Sequence, residues 1–425
     1  MAQTVANLTD VLKEAWTSER LEKQFDDQTP FLDRISKESF EVKSARIGEK
    51  AIVPIHKGRS GGYTSTTSAG GSLNPADEQK VDSAEYTLVY HWFQIALETG
   101  ALNQSVGGDS SLVDAKDLEI EGAISDMAKQ NMRQIATSSN GVLAACDTGG
   151  ASATVELLTD SATSYGYQAM VRGWLYPGLK VDIGAVGNTD SVVAGAEIVS
   201  VNESVTDPDI VIDSSVSTTS GTDFVYIANP NSGTAANPEL NGLRSMVGST
   251  TDALGGLDPD VAGEEFWKPA LVDTTTTVLS LDLLLNMQRA IHQKTGRGAR
   301  KDGLYVLTSL KQEAAFYSLL QNQVRFAGDG SLSAGGVEGP KWNGLEFNGV
   351  PDILDTDLYM LNLKDFVKIT GKGITKPTWV SDIEGSGGRL RWGAGTTAFN
   401  DAVVSPWQLG MKRRNGSAAA VGLTA

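Results

Sequence analysis

Residues 58–62, Gly-Arg-Ser-Gly-Gly, match the Gly-x-Ser-x-Gly pattern that holds a nucleophilic serine in many hydrolases. In those enzymes the serine lies on a sharp turn that leads from a strand directly into a helix. Ser60 follows an apolar run, but the residues after it, YTSTTSAGG, cannot form a helix. The sequence therefore predicts that Ser60 lies in a loop and is not a catalytic nucleophile.

The three histidines, His56, His91 and His292, lack the spacing of a metal site, because they lie in separate segments. We expect His56 and His91 to face each other across a predicted hairpin, in a structural role. Three aspartate pairs lie in predicted turns, where turn formation is a simpler explanation than calcium binding: Asp207/Asp209, Asp258/Asp260 and Asp355/Asp357. No glycine-rich phosphate-binding motif is present, and no metal or cofactor is predicted.

Charge and composition exclude several classes of protein. The 425 residues exceed one compact core, so two or three structural units are expected. A net charge of −17 argues against tight or sequence-specific DNA binding, and the one basic cluster, residues 412–414, is too short for a nucleic-acid patch. We expect that cluster to be solvated or to contact a neighbour's acidic group.

The sequence shows no sign of a membrane or secretory segment. It contains no apolar run of about eighteen residues, and its beginning, MAQTVANLTDVLKEAW, is not a secretory signal. Cys146 is the single cysteine, so no disulfide within the chain and no thiolate metal cluster is expected.

Residues 111–137 are predicted to form the longest helix, a strut around which the other parts are arranged. Apolar residues recur along it at helical spacing: Ile120, Ile124, Met127 and Ile135. Acidic residues precede basic ones, as the helix dipole favours. A second amphipathic helix is predicted within residues 1–26, in an arm without an evident core to pack on.

Two strands, AIVPIH at 51–56 and EYTLVYHWFQIAL at 85–97, are predicted to form a long hairpin. The second strand is apolar on both faces, with Tyr86, Leu88, Tyr90 and Trp92 on one and Val89 and Phe93 on the other. A two-stranded ribbon is at best marginally stable alone. We therefore expect it to be buried against another surface, and burial within its own domain is the alternative.

Residues 151–235 contain short β runs separated by turn residues, which predicts an inserted β-sandwich or barrel. Ten acidic and two basic residues give this insertion an acidic surface. From residue 240 the pattern returns to mixed α and β structure, with a helix at 280–296 that Ser280 is predicted to cap and another helix after Ser309. The second of these helices is predicted to have its inner face at Leu310, Ala314, Tyr317 and Leu320. Strands are predicted at 345–355 and 358–363.

The order of these parts resembles the major capsid proteins of tailed bacteriophages, which have the HK97-like α+β fold. YVLTSLKQEAAFYSLLQNQVRFAGDG and LEFNGVPDILDTDLYMLNLKDFVKI are similar to their axial domain, and SSLVDAKDLEIEGAISDMAKQNMRQIATSSNGVLA to their spine helix. The resemblance implies these parts: an N-terminal arm (1–46), an extended hairpin (47–97), a peripheral domain (98–150) with a spine helix (111–137), the inserted β domain (151–235), a return to the peripheral domain (236–273), an axial domain (274–360) and C-terminal return strands (361–425).

The resemblance also implies a non-enzymatic role. Such proteins assemble as pentamers and hexamers into the icosahedral head around double-stranded DNA, so a virion location and assembly in the host bacterial cytoplasm are expected. A portal, a separate scaffolding protein and a decoration protein are the partners that it suggests, and no membrane is involved. Contacts between subunits are expected from seven residues of the arm and hairpin: Trp16, Phe25, Lys57, Tyr63, Tyr90, Trp92 and Phe93.

Two other functions remain open from sequence. A phage tail-tube or other ring-forming virion protein would share long hairpins and acidic surfaces, but should lack the long helix and the second α/β half. A β-rich hydrolase would need a convergent set of acid, base and nucleophile, and the residues above do not provide one.

Overall fold

The computed structural model describes the chain between residues 50 and 424, with gaps. The described residues are 50–58, 63–65, 72, 74–75, 78–98, 109–160, 165–185, 191–229, 238–275, 278–295, 304–321, 341–343, 345–371, 374, 377–380, 391–392 and 398–424. The predicted N-terminal arm, with Trp16 and Phe25, and the loop at Ser60 lie outside them.

The described residues form a strand-rich, mixed α+β structure. Its helices are α1 (Asp109–Ala136), α2 (Gly166–Val171), α3 (Leu243–Met246), α4 (Leu281–Thr295) and α5 (Leu310–Gln321). Its strands are β1 (Ala51–Gly58), β2 (Lys80–Tyr86), β3 (Val89–Glu98), β4 (Val142–Ala145), β5 (Gly149–Glu156), β6 (Lys180–Gly184), β7 (Ser191–Asn202), β8 (Asp209–Thr218), β9 (Phe224–Ile227), β10 (Val272–Asp273), β11 (Leu304–Thr308), β12 (Lys341–Trp342), β13 (Leu345–Gly349), β14 (Asp357–Asn362), β15 (Phe366–Thr370), β16 (Thr378–Trp379), β17 (Arg391–Trp392), β18 (Ala398–Met411) and β19 (Ala418–Val421).

The hairpin is formed by β1 and β2, which pair antiparallel with Ala51 opposite Tyr86. The prediction of one continuous partner strand over 85–97 is wrong, because the chain leaves the hairpin at residues 87–88 and continues as β3 in another sheet. At this break the Tyr86 hydroxyl donates to the backbone oxygen of Met411 at 3.1 Å. This buried contact ties the end of the hairpin to the body of the chain.

Strand β3 pairs with β18, from Val89 opposite Trp407 to Glu98 opposite Ala398. Helix α1 packs on this sheet, and Ile95 shares a buried cluster with residues of that helix. One face of β3 is therefore buried within its own chain, as the alternative interpretation held. The expected pairing of His56 with His91 is wrong, because His56 lies opposite Val81 and His91 lies opposite Ser405.

Helix α1 presents one apolar stripe to the core, as its spacing indicated. From residue 122 onward the buried apolar side chains are Ala123, Ile124, Met127, Ala128, Met132, Ile135 and Ala136. The stripe packs against the sheet of β3 and β18 and against the segment that contains α3. The helix thus connects the hairpin side of the molecule with the segment that follows the inserted β module.

Strands β4 to β9 form one sheet in the order β4-β9-β6-β7-β8-β5. A β-bridge between Cys146 and Leu157 joins the two outer strands, so the sheet closes into a six-stranded barrel. Apolar side chains fill its interior, among them Val181, Ile183 and Ile210. The barrel begins at β4, before the boundary predicted at residue 151. The sequence pattern did not reveal this because the apolar run of β4 resembles the preceding segment in composition.

Another sheet contains both parallel and antiparallel pairs and has the order β10-β19-β14-β11-β13-β12. Its C-terminal strand, β19, lies between β10 and β14. Helices α4 and α5 contribute Met287 and Phe316 to its core. The Ser280 hydroxyl accepts the backbone N–H of Leu283 at 3.2 Å, which makes Ser280 the predicted N-cap of α4. The predicted strand 345–355 ends at Gly349, before the turn at Pro351.

The inner face of α5 differs from the prediction. Leu310 is 55% exposed, whereas Phe316 is buried and stacks on Phe347 with the ring centroids 4.3 Å apart. Gln312 is also buried, and its side-chain amide donates to the backbone oxygen of Asp355 at 2.8 Å. The hydrophobic pattern of the sequence did not identify this face because Gln312, one of its central residues, is polar.

Arg414 is buried, so the expectation of a solvated basic cluster at 412–414 is wrong for this residue. Its guanidinium donates to four backbone oxygens at 2.6 to 2.9 Å: those of Ser245, Met246, Ser249 and Asp252. These carbonyls belong to α3 and the turn after it. Arg414 therefore fastens the C-terminal segment to the segment around α3.

Candidate functional site

Five large apolar side chains of the hairpin and β3 are exposed. They are Ile52 (60% exposed), Tyr63 (83%), Val81 (63%), Tyr90 (36%) and Trp92 (61%), and we call them the exposed hairpin set. A concentration of such side chains in one part of a chain is typical of a surface that contacts a partner. Tyr63, Tyr90 and Trp92 are among the contact residues expected from sequence.

The pleat of β1 explains why Ile52 is exposed. Ala51, Val53 and Ile55 alternate with it and are buried. Successive side chains of a strand point to opposite faces, so one face of the hairpin packs on the body and the other remains exposed. Ile52 and Val81 were missed by the sequence analysis, although the two-residue periodicity of β1 was the signal that could have found Ile52.

Strand β3 divides its aromatic residues between two faces. Phe93 is partly buried and packs against the core, whereas Tyr90 and Trp92 are exposed. Tyr86 and Leu88, which were expected to share a face with Trp92, are instead buried. The change of sheet at residues 87–88 breaks the alternation on which that expectation depended.

Lys57, another expected contact residue, has partners within its own chain. Its Nζ lies 3.2 Å from the Asp82 carboxylate and 5.5 Å from the ring centroid of Phe266. Hydrogen bonds from the Ser83 backbone and then from Lys57 lower the pKa of Asp82 below its ordinary value. Lys57 thus links β1 to β2 near the loop end of the hairpin.

The barrel is fastened to the loop before β14 by Arg172. Its guanidinium donates to the backbone oxygens of Pro351 at 2.8 Å and Ile353 at 2.7 Å, and it pairs with Asp355 at 3.0 Å. Leu354 from the same loop is buried in the core cluster of the barrel. The loop is thus held to the barrel by hydrogen bonds, an ion pair and apolar burial together.

A second buried junction surrounds Asp357. Its carboxylate accepts the hydroxyl of Tyr359 at 2.7 Å and lies 3.8 Å from the guanidinium of Arg244, which stacks over Tyr165 of the barrel segment. Burial and then the charge of Asp357 raise the pKa of Tyr359. This aspartate serves a structural network that joins the barrel, α3 and β14.

Of the other two pairs, Asp258/Asp260 agrees with turn formation, whereas Asp209 begins β8 and its carboxylate accepts the side-chain amide of Asn202 at 2.7 Å. The carboxylate of Asp258 accepts the backbone N–H of Asp260 at 2.9 Å. Among the described residues, no group of three or more His, Cys, Asp or Glu side chains could hold a metal ion. Cys146 is buried, and burial, followed by the charge of Asp223, raises its pKa to about 12, which keeps it a thiol.

No helix within the described ranges is long and apolar enough to cross a membrane. The three histidines lie on three separate elements, β1, β3 and α4. The features that stand out are the exposed hairpin set and the buried polar junctions that hold the modules in place.

No protein-family model matches the sequence. No curated protein matches it either. Solved structures do match. A chain of the cyanophage A-1(L) capsid asymmetric unit has 12% sequence identity and a TM-score of 0.57, over 93% of this chain and 93% of that chain.

Two further solved structures have lower scores. The capsid of a native GTA particle has 9% identity and a TM-score of 0.46, over 92% of this chain and 90% of that one. The satellite phage P4 procapsid has 11% identity and a TM-score of 0.41, over 100% of this chain and 98% of that one. The cyanophage similarity shows that this chain has the fold of a phage capsid protein, and the resemblance seen in the sequence is confirmed at the level of the fold.

Proposed function

We propose that this chain is a major capsid protein, a structural and non-catalytic subunit that assembles into the icosahedral head of a tailed bacteriophage around its double-stranded DNA. The observation that carries the proposal is the shared fold with a cyanophage capsid chain, which extends over 93% of both chains. The match includes nearly the whole length of both chains.

The exposed hairpin set supports assembly from copies of the same chain. Its aromatic and aliphatic side chains lie in water in the isolated subunit, and their burial by a neighbour would stabilise the assembly by about 25 cal/mol for each Å² of apolar surface removed from water. Repetition of such a contact around a closed shell sums many modest energies. No single interface then needs to be strong.

The proposal assigns each part of the chain its own position in the shell. The hairpin, which starts near residue 47 and whose strand β2 ends at Tyr86, lies over the peripheral domain of an adjacent subunit, and the arm, residues 1–46, reaches another neighbour. The axial domain, residues 274–360, gathers at the five-fold and six-fold axes in pentamers and hexamers. The acidic barrel faces outward, away from DNA. A separate scaffolding protein, a portal and a decoration protein complete the assembly, which takes place in the host bacterial cytoplasm.

The rival functions fit less well. A tail-tube protein should lack a long helix and a second α/β half, whereas α1 has 28 residues and the mixed sheet that contains β19 has six strands. A β-rich hydrolase requires a convergent catalytic set, and the three histidines, which could supply its base, lie on separate elements, β1, β3 and α4.

Negative-stain electron microscopy of the purified protein tests the proposal. We expect closed shells, or rings of five and six subunits. Trp92→Ser should reduce their yield, whereas Val199→Ser, on a barrel residue of similar exposure, should not. A protein that remains a compact monomer at every concentration and salt condition, also with a co-expressed scaffolding protein, would contradict the proposal.

A further inference from the structure

A cavity of about 370 Å³ lies beside the second half of β1. Its walls come from four separate segments of the chain: residues 54–57 of β1, residues 266–267, residues 364–365 and residues 412–415. Contacts join these segments in two pairs and hold the walls in place. The backbone N–H of Lys412 donates to the backbone oxygen of Asp365 at 2.7 Å, and Lys57 lies over the ring of Phe266.

The lining of this cavity is strongly cationic. Its lysine and arginine side chains are Lys57, Lys364, Lys412, Arg413 and Arg414, and its carboxylate is that of Asp365. Asp82, outside the lining, pairs with Lys57. Five cations against these two carboxylates leave a net charge of +3, in a chain whose total charge is −17. The cavity therefore concentrates positive charge on an anionic protein.

Several of these charges are held in position before any ligand arrives. Lys57 is fixed by Asp82 and Phe266, and Arg414, whose buried guanidinium is engaged by its four backbone acceptors, adds its charge to the field of the cavity without contacting a ligand. A site whose cations are already ordered loses less conformational entropy when it binds an anion. The rings of Phe266 and Trp267 form an apolar part of the wall, which reduces screening by water.

We propose that this cavity is an interface site that binds a carboxylate-bearing segment from a second copy of the chain. The inference rests on the proposed function, since it requires that copies assemble. Copies with a charge of −17 repel one another at long range, and a cationic recess gives one orientation in which opposite charges meet. Exposed carboxylates are abundant on each copy, for example at Glu156, Glu197, Glu203, Asp207 and Asp213 of the barrel.

A nucleic-acid phosphate would also be attracted by positive charge, but the geometry favours a protein carboxylate. The cavity is a recess of limited volume that suits one or two side chains, whereas a duplex requires an extended basic surface. The buried carboxylate of Asp365 in the lining also disfavours a densely charged polyanion.

Zero-length carbodiimide crosslinking of assembled particles tests the proposal directly, because it joins a lysine to a carboxylate only when the two are in contact. Particles are formed from a mixture of ¹⁵N-labelled and unlabelled protein, so that mass spectrometry distinguishes links between copies from links within one copy. We expect links between copies from Lys364 and Lys412. Lys180, exposed on the barrel, is the control.

The matched variants are Lys364→Gln with Lys412→Gln, and Lys180→Gln as the control. Loss of charge-assisted contacts should raise the protein concentration needed for assembly by about tenfold or more in the double variant and leave it unchanged in the control. Thermal unfolding of the unassembled double variant should match that of the wild type, which separates loss of docking from loss of folding.

The outcomes separate this inference from the proposed function. If the wild type assembles, but links from Lys364 and Lys412 form only within one copy and the double variant assembles normally, the cavity is not an interface site, although the capsid function stands. If the double variant forms normal shells that retain less DNA, the cavity binds nucleic acid and the proposal is wrong. If the wild type never assembles, the capsid function itself fails.

Discussion

Arg133, in the last turn of α1, forms a bidentate ion pair with Glu239, 106 positions later in the chain, and both side chains are almost completely buried. The segment with Glu239 follows the barrel and leads into α3, so this pair joins the long helix to the point where the chain returns from the inserted module.

Replacement of Glu239 by glutamine should destabilise the chain, because it leaves the buried guanidinium of Arg133 without its counter-charge. We expect the free energy of unfolding of the unassembled protein to fall by about 3 to 5 kcal/mol. Urea denaturation followed by circular dichroism measures it. The control is Glu85→Gln, in the exposed pair of Lys50 and Glu85 at 2.8 Å, where the change should be under about 1 kcal/mol. An equal loss of unfolding free energy in the two variants would show that the buried ion pair of Arg133 and Glu239 stabilises the chain no more than an exposed pair does.

His91 should make the unassembled protein less stable in mild acid. Burial and then the charge of Arg133 lower its pKa to about 4, below the value of about 6.5 for an unfolded chain. Between these values the unfolded state binds more protons, so stability is present above about pH 6.5 and decreases as the pH falls toward about 4. The loss from pH 7 to pH 5 should be about 2 kcal/mol, converted at about 1.4 kcal/mol per pKa unit.

Denaturation of wild type and His91→Phe at both pH values isolates this contribution, since other titrating groups are common to the two proteins. The ring packs near Trp407, with centroids 6.0 Å apart, so phenylalanine preserves much of the contact. A variant with the same pH dependence as the wild type would show that His91 is not responsible.

Asn131 lies in the C-terminal part of α1 and is 1% exposed, and neither its Nδ2 nor its Oδ1 has a hydrogen-bond partner among the described residues. Asn131→Leu should therefore raise the free energy of unfolding by about 1 to 2 kcal/mol, because it removes an unsatisfied buried amide. The matched control is Gln134→Leu on the same helix. Gln134 accepts the backbone N–H of Leu240 at 3.2 Å, so its loss should destabilise. A destabilised Asn131→Leu variant would contradict this prediction.

Arg414→Lys should destabilise the chain even though it keeps the positive charge. One ammonium group has three donors on a single nitrogen and cannot reach four separated backbone oxygens as the planar guanidinium does. We expect a loss of about 3 kcal/mol from the buried carbonyls left without donors. Arg413→Lys, in the adjacent and partly exposed residue, is the control. Thermal unfolding compares the two, and similar melting temperatures would count against this role for Arg414.

Local patterns were sufficient for the elements that depend on nearby residues. The apolar spacing of α1, the capping of α4 by Ser280, and the turn roles of Asp258 and Asp260 were all found in the sequence. Each depends on residues within a few positions, so periodicity and side-chain chemistry suffice. The order of these elements along the chain was also enough to indicate the capsid fold.

Only the tertiary structure decided which strand pairs with which and which polar groups are buried. Strand β3 has its partner in β18, about three hundred residues later, and Arg414 is buried against the α3 segment instead of lying in solvent. Pairing of distant strands and burial of a charge depend on where remote parts of the chain meet, and a local pattern carries no information about that. Sequence alone determined the kinds of elements and their order, whereas long-range contacts determined the hairpin register, the buried ion pairs and the cationic cavity.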